Sequence, residues 1–274
     1  MSNAVMPLSD YVNACDTIRE KTNSTDTIKS GELANKIDEV YEAGKVSGGG
    51  GDDYYNEFWD SIYRYIEENK SGGTENLFKG RAWNDTTFKP PKDIVLTPYS
   101  RWSFQSSGIK NLKACLDDRG IKIDFTNALH LNNFFDGGLF EHIGEIDLST
   151  CVSDVSINNM LAFTTNLVTV DKVKIGDNVK FHGHMQNCGR LQNITFEGEL
   201  KASFNVGWSA LLSKSSIQNI FSCLSNTATE QTLTLSKTAV NNAFETSSGL
   251  ADGSTSQEWL NLVATKTNWT ISLV

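Results

Sequence analysis

Apolar positions recur at helical spacing in two short stretches near the start of the chain. Leu8, Tyr11, Val12, Cys15 and Ile18 fall at i, i+3, i+4, i+7 intervals. Leu33, Ile37, Val40 and Tyr41 repeat the pattern. Ser9 or Asp10 can cap the first helix, and Gly44 is placed to stop the second. Neither stripe buries much alone, so the helices need each other, the rest of the chain or further copies. Residues 1–45 are therefore expected to anchor or oligomerise the protein. Gly48, Gly49, Gly50 and Gly51 predict a flexible joint over 46–53. A third helix follows, with Phe58, Ile62, Tyr65 and Ile66 on one stripe and Tyr54, Tyr55, Trp59 and Tyr63 widening it. Residues 74–106 carry irregular aromatics (Phe78, Trp83, Phe88, Tyr99, Trp102, Phe104), and 54–110 reads as a helix and capping segment wrapped over something larger.

From residue 111 to 274 the pattern changes to short alternating triplets. They are Ile123-Asp124-Phe125, Ile146-Asp147-Leu148, Val173-Lys174-Ile175, Ile194-Thr195-Phe196, Leu233-Thr234-Leu235 and Ile271-Ser272-Leu273. Alternation turns one face of each strand inward. Each unit has too little apolar surface to fold alone, so the triplets are expected to stack as a parallel ladder over a shared core. Asp124, Asp147, Lys174 and Thr195 then fall on one outward row. The last spacings are longer because helices replace turns. Ile217, Ile220, Phe221 and Leu224 predict one over 215–224, and similar stripes predict others over 238–246 and 257–265.

The best repeat runs Phe181, Met185, Cys188, Leu191, Ile194 and Phe196 at fixed intervals. It resembles the BspA-like leucine-rich repeat, with its aromatic–Cys/Asn–Leu–Ile core followed by a strand. That resemblance implies a fold of class α/β: a short N-terminal α-helical segment, a leucine-rich-repeat solenoid with a parallel β-ladder, and a helical C-terminal cap. The whole chain is also similar to leucine-rich-repeat proteins encoded among the tail and virion genes of bacteriophages and prophages of gut bacteria. The similarity lies in Ala14-Cys15-Asp16-Thr17-Ile18-Arg19-Glu20-Lys21-Thr22, in Phe58-Trp59-Asp60, in Ala82-Trp83-Asn84-Asp85 and in the ending Asn268-Trp269-Thr270-Ile271-Ser272-Leu273. It implies a virion structural protein made in the host bacterial cytoplasm, attached to other virion proteins through its N-terminal helices and contacting a host-cell receptor. Phage appendages are commonly trimers, which implies a homo-oligomer. The alternative is a bacterial leucine-rich-repeat interaction or adhesion module with no virion role.

Composition narrows the chemistry. The net charge is −9, which argues against a nucleic-acid groove. Asn, Ser and Thr number 25, 27 and 24 of 274 residues, so neutral amides and hydroxyls must dress much of the surface. No apolar run approaches the roughly 20 residues of a membrane span. The opening Met1-Ser2-Asn3-Ala4-Val5-Met6-Pro7 reads without the basic and apolar regions of a secretory leader. The five cysteines are far apart in sequence and read as free thiols, not as a disulfide or metal framework.

His182 and His184, with Cys188, are the only cluster of metal-ligand types, and no metal or other cofactor is expected. No nucleophile elbow, zinc-protease, Walker or dinucleotide fingerprint appears, and no enzyme is expected. The residues that could meet a host glycan or protein are Trp102, Trp208 and the outward row Asp147, Lys174 and Thr195.

Overall fold

The computed structural model describes residues 51–80, 83–152, 155–177, 179, 183–228, 230–244 and 256–274. The expected anchor positions Leu8, Tyr11, Val12, Ile18, Leu33, Ile37 and Val40 lie outside the described residues, as do residues 46–50 of the expected joint. The described chain is a mixed α/β fold with five α-helices and several parallel sheets, none of them closed. In chain order the elements are α1 (Gly51–Glu68), β1 (Ile94–Val95), α2 (Leu112–Cys115), a 3-10 turn (Asp117–Arg119), β2 (Ile123–Asp124), β3 (His142–Asp147), β4 (Thr169–Lys174) and β5 (Gly183–His184). Then come β6 (Asn193–Glu197), β7 (Phe204–Val206), α3 (Lys214–Cys223), β8 (Gln231–Leu235), α4 (Lys237–Ala243), α5 (Gln257–Ala264) and β9 (Trp269–Leu273). No described helix is long and apolar enough to cross a membrane.

Gly51, Asp52 and Asp53, expected at the end of the joint, instead form the first turn of α1. The helix turns Trp59, Ile62, Tyr65 and Ile66 into the core. Trp59 is fully buried, with Phe78, Trp83 and Phe88 at ring-centre distances of 6.1, 5.7 and 5.6 Å. Offset and edge-on aromatic pairs of this kind add to the large area such rings bury. The core then continues without a break from Trp59 to Trp269.

Described segments between residues 73 and 187 pair in parallel, one with the next. Gly73 pairs in parallel with Tyr99, Tyr99 with His130, and His130 with Ser156. Four levels then make a five-residue turn centred on a buried apolar side chain, Phe78, Phe104, Phe135 and Leu161, and at the next level buried Met185 directly follows β5. Successive turns are hydrogen-bonded to the next, Phe78 N to Ser103 O, Phe104 N to Phe134 O and Phe135 N to Met160 O, at 2.7, 2.8 and 2.9 Å. Two residues before the central one, Asn76, Trp102, Asn133 and Asn159 all have positive φ. Two residues after it, Gly80, Ser106, Gly137, Phe163 and Asn187 do as well. Asn and Gly suit this left-handed geometry because a carboxamide is tolerated there and glycine has no Cβ. Residues 73–80 and 99–106 are thus levels of the stack, not an irregular wrapping.

The six alternating triplets do not make one ladder. β3, β4 and β6 form one sheet, while β5, β7, β8 and β9 form another. Ile146, Val173 and Phe196 share an inward column. The register between β4 and β6 shifts by one residue between Val170 and Val173, and Val173 pairs with Phe196 and not Ile194, so Lys174 faces Glu197 and not Thr195. The later triplets keep perfect register with each other, Leu233 with Ile271 and Leu235 with Leu273, but their other neighbour is β7. That three-residue strand, Phe204-Asn205-Val206, is itself an apolar–polar–apolar triplet.

The three C-terminal helices fall where their stripes predict. Ser213, Ser236 and Ser256 cap them, each accepting from the N–H three residues on. Trp259 on α5 packs against Phe221 and Phe244 at 5.6 and 5.4 Å. Buried Lys266 donates to Leu224 O at 2.5 Å and Asn226 Oδ1 at 2.9 Å, placing a cation on the carbonyl end of α3.

Candidate binding site

The sequence-predicted contact residues fall in three different settings. Asp147 and Lys174 sit together on the outer face of β3 and β4. Lys174 Nζ lies 2.7 Å from Glu145 Oε1 and 3.7 Å from Asp147 Oδ2, and the Glu145 carboxylate holds the ammonium above the ordinary lysine range. Lys172 pairs with Glu197 at 3.1 Å on the same face. Asp147 Oδ1 also accepts from Ser149 N at 3.0 Å. These charges answer one another across adjacent strands, which neutralises the row and leaves little for a ligand. Thr195 is exposed opposite the register shift, displaced from the Asp147–Lys174 row.

Trp102 is half-buried at a left-handed corner, φ 54°, with the Arg101 guanidinium 5.5 Å from its ring centre. Its N–H donates to Asn132 O at 3.3 Å. It occupies the place that Asn fills at positions 76, 133 and 159.

Trp208 is different, because 55% of it is exposed while its backbone is fixed on both sides. Gly207 N donates to Asn205 Oδ1 at 2.9 Å, and Ser209 N donates to Val206 O at 2.9 Å. The buried Ser209 hydroxyl donates to Cys188 O at 3.2 Å. A Cβ at Gly207 would stand 2.4 Å from Val274 Cγ2, so the two chain segments meet closely beneath this turn. The turn therefore holds the indole at the surface without burying it.

Beside Trp208 is a depression of about 320 Å³ lined by Asn159, Gln186, Asn205 and Trp208. Asn159 comes from the first residue of the turn around Leu161, and Gln186 from the short turn that follows β5. Asn205 comes from β7, whose backbone pairs with His184. None of the four is charged. Among the described residues, the carboxamides of Asn159 and Gln186 make no hydrogen bond. Two free carboxamides offer both donors and acceptors next to an apolar plate.

A larger cleft of about 1060 Å³ lies between α1 and the β1 edge. Its rim mixes Asp60, Glu67 and Asp93 with Arg64, Lys92 and Arg119, so no sign of charge dominates. Tyr63 partly closes it, donating to Lys92 O at 2.5 Å with Lys92 Nζ over its ring.

The minority metal-ligand candidates His182 and His184 are not both described. His182 lies outside the described residues, and His184 is placed by its backbone alone. Cys188 is committed to the interior: its thiol donates to Leu161 O at 3.0 Å and lies 3.3 Å from Thr164 Oγ1. Burial pushes its pKa up to about 11. Among the described residues no three His, Cys, Asp or Glu side chains converge.

Sequence reading named Trp208 but missed Asn159, Gln186 and Asn205. A signal for the turns was present. Asn76-Leu77-Phe78-Lys79-Gly80 and Asn133-Phe134-Phe135-Asp136-Gly137 share the pattern Asn-x-Phe-x-Gly, and Asn159 falls at its first position in the turn around Leu161. No protein-family model matches the chain, and neither a curated protein nor a solved structure matches it.

Proposed function

We propose that the chain is a bacteriophage virion structural protein of the tail- or fibre-type. In this reading residues 1–45 attach it to other virion proteins and assemble it as a trimer. The repeats form a leucine-rich-repeat solenoid whose surface binds a glycan or protein of the host cell. The observation that carries the reading is the recurrence of one stacked unit: a parallel pairing, a five-residue turn, and a hydrogen bond to the next level. Units that bury surface only against their neighbours produce an extended face that tolerates side-chain changes. Loops and turns on a rigid scaffold are where contact residues collect. Many copies on one particle raise avidity without a tight single site. The resemblance of the opening and closing segments to phage tail and virion gene products points the same way.

The test is mass spectrometry of purified particles from the source culture, with copy number. Presence at a multiple of three or six copies is the expected result. Abundance in the cell with absence from particles overturns the virion role and favours an intracellular binding module. Deletion of residues 1–51 is expected to abolish incorporation, and retention of the truncated chain in particles would exclude the anchoring role.

A further inference from the structure

The geometry points to the Trp208 depression as a binding site for a neutral sugar ring. The inference deepens the receptor-binding reading by naming the ligand class and the residues that hold it.

Four observations converge. The indole is exposed on a turn whose backbone is tied down at Gly207, at Ser209 and through the Ser209 hydroxyl. A plate held this way pays little ordering entropy when a ligand stacks on it. The carboxamides of Asn159 and Gln186 face the same space and keep their hydrogen-bonding capacity unspent. The described lining carries no charge, so it selects against ionic ligands, which would lose hydration without gaining a counter-charge. A pyranose has an apolar C–H face that matches an aromatic plate and equatorial hydroxyls that pair with carboxamides as both donor and acceptor. A volume of about 320 Å³ is enough for one or two rings.

The surrounding turns give independent support. At two left-handed corners the chain carries Trp102 and Phe163 where neighbouring levels carry Asn, Gly or Ser. Phe163 belongs to the same turn as Asn159, its N–H donates to Gln186 O at 2.7 Å, and it is 43% exposed. Bulky side chains in this backbone region are strained and concentrate at functional surfaces. Phe163 is thus placed outward next to Gln186 at a cost to the fold.

The experiment is saturation-transfer NMR on the full chain with galactose, glucose, mannose and N-acetylglucosamine, alongside glucuronic acid as a charged control. Transfer from protein to one or more neutral sugars is expected, with glucuronic acid weaker. Trp208→Ala is expected to weaken binding about tenfold or more, and Gln186→Ala about three- to tenfold. Asn159→Gly removes the carboxamide while keeping the positive φ, and is expected to match Gln186→Ala. Because Gln186 is exposed, its variant keeps the test open if Trp208→Ala fails to fold. Absence of transfer from all four neutral sugars, or transfer unchanged in both Trp208→Ala and Gln186→Ala, overturns the site. Adhesion of the full chain to host cells, measured in parallel, separates the two readings. Sugar transfer that is absent, or unchanged in both variants, while the full chain still adheres to host cells sinks the sugar site and leaves receptor binding standing. Sugar binding without adhesion does the reverse.

Discussion

The Asp117 carboxylate occupies the space in which a side chain on Gly144 would begin. A Cβ at Gly144 would lie 1.7 Å from Asp117 Oδ2. The same oxygen accepts from Glu145 N at 2.8 Å, so the 3-10 turn is tied to β3 just where the strand has no side chain. Gly144→Ala must expel the carboxylate and break that bond, and is expected to cost about 1–2 kcal/mol. In an Asp117→Ala background the same change should cost far less, because the two sites share one space. Urea unfolding of the four proteins in this cycle measures the coupling. Equal costs in both backgrounds would show that the two residues act independently.

The same carboxyl makes stability depend on pH. Burial raises the Asp117 pKa above the ordinary carboxylate value, and the Glu145 N–H offsets this only in part. A folded-state pKa above the unfolded one means that the folded chain holds the proton more tightly. The contribution is fully present below the unfolded pKa and is lost as pH rises through the folded one. Asp117→Asn keeps an oxygen for Glu145 N and removes the titration. The wild type should therefore gain stability relative to Asp117→Asn as pH falls from about 7 to about 4, a window that spans the carboxylate range. Urea midpoints of both proteins at the two pH values decide it. A difference that does not change with pH would remove Asp117 from the acid response.

Phe163 is the least suited occupant of its column of left-handed corners. Gly80, Gly137 and Asn187 hold φ of 111°, 64° and 60° at equivalent places, and Phe163 holds 57°. A bulky residue in that region costs about 1–2 kcal/mol, and this side chain recovers only part of that by burial. Phe163→Asn is expected to raise stability by about 0.5–1 kcal/mol, read as a shift of the thermal or urea midpoint. A loss of stability would mean that the ring packs better than its exposure implies.

Helices were legible wherever a one-sided stripe met a capping serine, as at Ser213 and Ser256, because both signals are local. Pairing between strands was less so. The triplet pattern gives each strand an inward face but not its partner, and the register shift beside Val173 follows from how β4 meets β6. Val173 meets Phe196 and not Ile194, so Glu197, and not Thr195, stands next to Lys174. The levels before residue 110 were obscured for another reason: Trp102 and Ser106 replace the Asn and Gly of the Asn-x-Phe-x-Gly turn, so the repeat shows only once the backbone is superposed on itself. Trp208 could be picked out as an aromatic of interest, but the turn that presents it is held by Ser209 meeting Cys188, a contact made across about 20 positions of chain. Its partners Asn159 and Gln186 are ordinary polar residues until the levels are stacked.

The four described cysteines give a residue-level readout of how tightly the core is held. Burial pushes the pKa of Cys115 up to about 12 and those of Cys151 and Cys188 up to about 11, and it raises Cys223 as well. The thiolate is the reactive form, so all four should react slowly with maleimide at neutral pH. Access then orders them. Cys115, Cys151 and Cys188 are buried, whereas Cys223, at the end of α3, is half-buried and donates to Phe196 O at 3.3 Å. Fraying of a last helical turn needs far less free energy than opening the core. Cys223 should therefore be labelled first among these four in the native protein. The other three should follow together on the time scale of global opening, and all four should react rapidly in urea. Peptide mapping of the labelled chain over time measures the order. Early labelling of Cys188 would mean that the stack opens locally beside Thr164 and Leu161, and that the turn beneath Trp208 is looser than its hydrogen bonds indicate.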